Sequence, residues 1–222
     1  MLSRSTLLRM NSAKHPEGGA GRRRPQVAMI AGLLLAAGES TRMGSPKPLL
    51  DWHGRPLVRY QVEQLRAGGC DLVVVVLGYR ADRVRPFVDG LKAKVVENSA
   101  YREGRATSVR AGAAAIPLSA GWVLVLGVDQ PRPAGAVRAV VEAAQASDAA
   151  VIIPRYSGRN GHPTAFAGRL LPEMRRVRDE TLGLREVVRR WEKELQTAEV
   201  DFPEVLVDVN TPEQYQQAHR RS

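Results

Sequence analysis

Cysteine is almost absent: Cys70 is the one thiol in 222 residues. No intramolecular disulfide can form and no Cys/His cluster has zinc spacing, so a disulfide scaffold and a structural zinc site are excluded, and a reducing cytoplasm is the expected compartment. Aromatic residues make up only 5%, and Trp52, Trp122 and Trp191 are scattered, which leaves no stacking platform of the kind single-strand binders use. No apolar run reaches the roughly 18 residues of a membrane span; residues 29–38 and 72–78 have the length of buried strands. Acidic residues are in deficit, 23 against 33 Lys and Arg, for a net charge of +10. With 44% hydrophobic and 25% charged residues the composition excludes wholesale disorder, and the length suits one domain.

Half of the excess charge lies before Pro25, where Arg4, Arg9, Lys14, Arg22, Arg23 and Arg24 face Glu17 alone. That stretch has no hydrophobic period and lacks the apolar core of a secretory signal. Residues 1–26 are therefore expected to form a disordered basic tail and residues 27–222 the folded domain. A basic run also suits a nucleic-acid-binding arm, but a solvated tail or a start placed upstream of Met29 accounts for it as well.

From residue 27 onward, short β-branched runs alternate with amphipathic stretches, the pattern of strands joined by crossover helices in a mostly parallel sheet. The fold expected is a three-layer α/β architecture. Strands are predicted over residues 27–36, 71–77, 94–97, 122–126, 149–153 and 205–207, and helices over 56–67, 80–88, 107–115, 133–146, 182–193 and 212–220. Thr211 before Pro212 reads as an N-cap with Gln214 near the capping-box position, and Gly68-Gly69 closes the helix before Cys70.

Ligands of open parallel sheets bind beyond the carboxyl ends of the strands, and the chain gathers chemistry there. After the first strand comes AAGESTRMGSPK. The small residues Ala36, Ala37 and Gly38 allow close backbone approach, and Gly38 and Gly44 permit positive φ, so that amides can form an anion nest. Arg42 and Lys47 add two cations, favouring a polyphosphate. The loop is neither a Walker A sequence nor GxGxxG. Asp129, at the end of the fourth strand, is either a Mg2+ ligand facing that loop or the cap of the following helix. His162 stands alone in a polar loop, and Cys70 reads as core.

The stretch LLLAAGESTRMGSPKPLL resembles the signature of the MobA-like NTP transferases, and further matches follow in order: Gly78-Tyr79-Arg80, Asn98 with Tyr101, Gly104 and Thr107-Ser108, Asp129-Gln130-Pro131, Gly161-His162-Pro163 and Asp208-Val209-Asn210-Thr211-Pro212. The set is similar above all to the molybdenum cofactor cytidylyltransferases. The resemblance implies a three-layer α/β/α nucleotidyltransferase fold, Rossmann-like and GT-A-like, and a Mg-dependent transfer from an NTP to a phosphate-bearing acceptor with release of pyrophosphate. By it, Ala36, Ala37, Gly38, Gly78, Gly104 and Ser108 would border the nucleotide. Arg42 and Lys47 would hold the triphosphate and act in catalysis with Asp129, and His162 would shape the acceptor pocket. Asp129 and Asn210 would hold Mg2+, Asn210 standing where many relatives have a second Asp and so binding the metal more weakly.

Ala37 favours CTP, because the guanylyl branch tends to have Gly at that place. The implied acceptor is molybdopterin or the molybdenum cofactor, with a molybdoenzyme as a possible client of the product. Two rivals remain beside this reading: transfer of guanylyl or another nucleotidyl group to a different small phosphate, and a non-catalytic carrier of the molybdenum cofactor. Nucleic acid and membranes are not expected partners.

Overall fold

The computed structural model describes residues 28–221; the basic segment expected over residues 1–26, with Val27, lies outside them. In chain order the elements are β1 (Ile30–Ala36), α1 (Leu57–Ala67), β2 (Leu72–Leu77), α2 (Ala81–Val84), β3 (Lys94–Glu97), α3 (Arg105–Ala114), β4 (Trp122–Gly127) and α4 (Ala134–Gln145). There follow β5 (Val151–Tyr156), β6 (Arg159–Asn160), β7 (Thr164–Ala167), α5 (Leu171–Met174), α6 (Leu184–Arg190), β8 (Leu195–Glu199) and α7 (Pro212–Arg221). The sheet runs β3-β2-β1-β4-β7-β5-β6, and β8 pairs with β5.

All seven residues of β1 and all six of β4 are buried, as central strands covered on both faces must be. β1 pairs in parallel with β2 and β4, placing Leu33 beside Val74 on one side and Val125 on the other. Helices α1, α4 and α7 cover one face, where Trp52, Leu57, Val62, Leu124 and Val137 pack together; α3, α5 and α6 cover the other over Leu33, Val76, Val109, Val123 and Phe166. Helix α1 reaches the sheet through Leu57, Val58, Gln61, Val62 and Leu65, the spacing of one helical face. It ends at Gly68, whose N–H returns to Gln64 O, as the glycine pair predicts. Cys70 is 3% exposed among these side chains, and burial pushes its thiol up to about 12, in keeping with a core residue rather than a nucleophile.

The three-layer, mostly parallel fold is the one expected, with differences on the carboxyl-terminal side. β7 runs antiparallel between β4 and β5, and neither β6 nor β7 was anticipated, being two and four residues long. The strand predicted at 205–207 is instead part of a 3-10 turn, Pro203–Leu206; its apolar residues serve burial of Val205 rather than a ladder. The true last strand, β8, is edge-like and polar, with Gln196, Thr197 and Glu199 exposed, so it lacks the alternation that marks strands. The helix predicted over 80–88 breaks into α2 and a 3-10 turn at Pro86, where a missing N–H interrupts the ladder. That predicted over 182–193 shortens to α6 behind Gly183.

Candidate functional site

The ends of β1 and β4 and the start of α3 open onto one cleft of about 270 Å3 whose lining includes Ala37, Gly38, Lys47, Gly104, Ser108 and Asp129. The loop after β1 is shaped by its own backbone. Ser40 and Gly44 both take left-handed conformations, at φ 57° and 68°, around the turn Thr41–Met43, and Ser40 Oγ accepts the N–H of Lys47 at 3.0 Å. Ser40 thus brings Lys47 back over the cleft. Gly78 closes the floor from β2: a Cβ there would lie 2.8 Å from Ala37 Cβ, Ala37 O and Tyr101 Cβ, too close for any side chain.

Lys47 carries the central contact. Its Nζ donates to Asp129 Oδ2 at 2.9 Å and to Asn210 Oδ1 at 2.7 Å. The three residues come from the first loop, the end of β4 and the loop before α7. The loop before α7 is tied down twice, by Val209 N–H to Asp129 O at 2.8 Å and by Asn210 N–H to Gln214 Oε1 at 2.9 Å; Thr211 Oγ1 in turn accepts the Gln214 N–H, an α7 capping arrangement. The alternative role of Asp129 as a helix cap is not what the structure shows, because the N-cap of α4 is Pro133 and no side chain caps it.

A polar scaffold that no sequence motif announces lies beneath Asp129. Gln61, 0% exposed on α1, donates to Gln130 O at 2.5 Å and accepts from Arg132 N. Gln130 accepts the Gly127 N–H and donates to Asp208 Oδ1 at 3.0 Å. The fully buried Arg132 donates to four carbonyls, those of Pro131, His162, Val205 and Val207, at 2.7–3.0 Å. Burial lowers its guanidinium to about 10, with the Asp208 carboxylate 4.0 Å away opposing that shift. Arg132 therefore remains charged at neutral pH and pins the His162 loop to the Val205–Val207 segment. Nothing in a one-sequence motif marks these roles: apart from the adjacent Pro131, the carbonyls that Arg132 holds lie 30 to 75 residues away.

Beside this cleft is a second cavity of about 340 Å3 lined by Val109, Val125, Phe166 and Leu184, with His162 and Arg185 among its polar groups. Arg105 lines both cavities. His162 is mostly buried, and that burial, helped by the Arg132 charge, holds its pKa below the ordinary 6.5, so it is neutral at neutral pH. Asp179 forms the wall between α3 and the loop before α6. Its Oδ2 accepts the Ala106 N–H at 2.8 Å, and it occupies the space a Cβ on Gly104 would need; at φ 125° Gly104 is also in a conformation that favours glycine. This carboxylate caps α3 from afar, which explains why the helix starts at Arg105 rather than at residue 107.

Of the residues expected at the nucleotide, Ala37, Gly38, Lys47, Gly104, Ser108 and Asp129 share the cleft. Ala36 does not face it: at 2% exposed it belongs to the α1 side of the core, because neighbours on a strand point to opposite faces. Gly78 underlies the cleft rather than lining it, and the Arg42 side chain lies outside the described part. Asn98 is buried and spends its amide on Thr107 Oγ1 and Ser108 Oγ, orienting the stretch that borders the cleft. His162 falls in the second cavity, and Asn210 is reached through Lys47.

Comparison with known proteins bears on the family and the fold. The model of the MobA-like NTP transferase domain matches residues 32–199. Nicotine blue oxidoreductase of Paenarthrobacter nicotinovorans is 40% identical over 103 residues, covering 46% of this chain and 50% of that protein. The bifunctional protein GlmU of Geobacter metallireducens is 33% identical over 128 residues, 56% of this chain and 27% of that one. The matched regions thus span half of the first relative and about a quarter of the second. The crystal structure of Rv0371c from Mycobacterium tuberculosis H37Rv superposes with a TM-score of 0.76 at 26% identity, over 87% of this chain and 99% of that one. A structure of Rv0371c in complex with manganese gives 0.70 over 88% and 100%. The cleft between the first loop and Asp129, together with a family match across most of the described residues, shows that this chain belongs to the MobA-like NTP transferase family.

Proposed function

We propose that the protein transfers a nucleoside monophosphate from an NTP, with CTP the expected donor, to the phosphate of a small acceptor held in the cavity beside the cleft. The observation that carries this reading is the convergence of Lys47, Asp129 and Asn210 at the mouth of a cleft floored by Ala37 and Gly38. The Asp129 and Asn210 oxygens both reach one cationic nitrogen, so the donor set fits a hard divalent cation such as Mg2+, which favours one or two carboxylates with phosphate and water oxygens. A manganese complex of a protein with the same fold supports the choice of a divalent metal. When bound there, Mg2+ supplies charge neutralisation along the polyphosphate.

The residues of the chain do the rest. Lys47 binds polyphosphate oxygens, Gly38 and its neighbours present backbone amides, and Arg105 spans donor and acceptor cavities. An acceptor phosphate oxygen attacks the α-phosphorus; the bond from that phosphorus to the bridging oxygen breaks, and pyrophosphate leaves with the electron pair. A general base is unnecessary, since a phosphomonoester is already an oxyanion at neutral pH; the neutral His162 orients rather than removes a proton. Catalysis is positioning and charge neutralisation. The apolar wall of Val109, Val125 and Phe166 suits a flat organic body, and molybdopterin is the acceptor we infer, making the protein a molybdenum cofactor cytidylyltransferase acting in the cytoplasm.

Mass spectrometry of a reaction containing CTP, Mg2+ and molybdopterin tests this: the expected product is a pterin cytosine dinucleotide, absent with Lys47→Ala and Asp129→Ala. A product mass matching another nucleotide or acceptor would reassign the substrates. The oxidoreductase name of the 40% identical relative provides a second reading, reduction of an organic acceptor in the same cavity. Consumption of reduced nicotinamide without pyrophosphate release would favour it.

A further inference from the structure

The position between Asp129 Oδ2 and Asn210 Oδ1 already holds a cation, the Lys47 ammonium, at 2.9 and 2.7 Å. The pair is sheltered: the Lys47 side chain is 12% exposed and that of Asp129 30%. Among the described residues Asp129 has no other ion pair. An ammonium and a divalent cation compete for these two oxygens, because each would lose a ligand to the other and like charges would meet in a partly dry site. The Lys47 backbone is fixed by Ser40 Oγ, whereas its four-carbon stem can swing its three donors to a new anion. The amide-rich loop that would hold a polyphosphate lines the same cleft.

Building on the nucleotidyl-transfer reading, we propose that Lys47 is the resident cation of the metal site and yields its place only when a polyphosphate takes the ammonium. The divalent cation then arrives together with the nucleotide instead of being preloaded. In the free protein the Lys47–Asp129 contact takes the carboxylate oxygen and the amide oxygen that a metal would share, and it occupies two of the three ammonium donors that a phosphate would draw on. Opening for one ligand opens for the other, and their effects on each other's affinity are reciprocal.

The test uses Mn2+ as the probe, with free Mn2+ followed by electron paramagnetic resonance in the absence of nucleotide. Wild type, Lys47→Met, Lys47→Ala and the double variant Lys47→Met/Asp129→Asn are compared after their thermal unfolding shows them folded. Removing the ammonium should tighten Mn2+ binding by about tenfold, within the usual range of coupling between sites, and the double variant should lose that gain. Mn2+ binding by both folded single variants that is equal to or weaker than wild type overturns the exchange. A further arm adds a non-hydrolysable CTP analogue to wild type. A ternary complex there, beside unchanged binding in the single variants, overturns the exchange but leaves the metal reading standing. No protein-bound Mn2+ in any form, with or without the analogue, overturns the metal reading and the exchange with it.

Discussion

Replacing Arg132 by Met removes the guanidinium while keeping most of the side-chain volume, and its cost can be worked from the contacts. The side chain is 0% exposed and holds four carbonyl oxygens on three stretches of chain, at Pro131, His162 and the pair Val205 and Val207. Hydrogen bonds from a charged donor contribute about 1.5–3 kcal/mol each when measured singly. They do not add here, since they share one donor group, and the guanidinium itself was costly to bury, as its lowered pKa shows. Leaving a buried carbonyl without its donor costs about 1–3 kcal/mol, so the four together, sharing one donor group, come to about 3–5 kcal/mol, a large part of the 5–15 kcal/mol typical of a domain. At 2–4 °C per kcal/mol for a domain of this size, Arg132→Met should lower Tm by about 6–20 °C. Urea unfolding followed by far-UV circular dichroism reads the same loss as a lower midpoint with unchanged slope. Arg132→Lys should not restore it, because three donors on one nitrogen cannot reach carbonyls arranged around a planar fork. A midpoint shift worth less than about 1 kcal/mol would refute the claim that Arg132 holds these loops together.

Three further outcomes follow. Because burial keeps the folded His162 below 6.5, the unfolded chain takes up its proton first as pH falls. Stability is then full above about pH 6.5 and lost as pH falls toward the folded value, and His162→Gln should flatten that acid limb in urea titrations; an identical pH profile in the variant would remove His162 as its source. Gly78→Ala should raise the KM for nucleotide several-fold with a smaller effect on the KM for acceptor, because its Cβ would collide with Ala37 and Tyr101; an unchanged nucleotide KM would show that this floor is not in use. Asn210→Asp should lower the Mg2+ concentration giving half-maximal rate at saturating nucleotide, since the added charge strengthens the donor set, and an unaltered Mg2+ dependence would take Asn210 out of the metal site.

What could be read in the sequence was local. The first loop carries its small residues and Lys47 within a dozen positions, and Asp129 stands at the tip of a strand whose burial is written in its β-branched run. The alternation of strands and helices likewise reveals the parallel half of the sheet. What could not be read depends on contacts between distant segments. Gln61, Arg132 and Asp179 look like ordinary surface residues until the fold brings them to carbonyls and amides far along the chain. The motif points Ala36 at the ligand because its letters do not say which face a strand residue presents. Strand β8 was missed because an edge strand with one exposed face needs little hydrophobicity, whereas Val205–Val207 looked like a strand because a turn packed under Arg132 needs a good deal.

The central claim is the transfer reaction, and pyrophosphate release tests it most directly. The purified protein is given Mg2+ with CTP, GTP, ATP or UTP in turn, with and without molybdopterin in its phosphate form. The account predicts release that needs the divalent cation, the pterin phosphate and CTP together, and that disappears in Lys47→Ala and Asp129→Ala. No release with any nucleotide and acceptor, from a protein that binds both, would contradict it and favour a carrier of the cofactor.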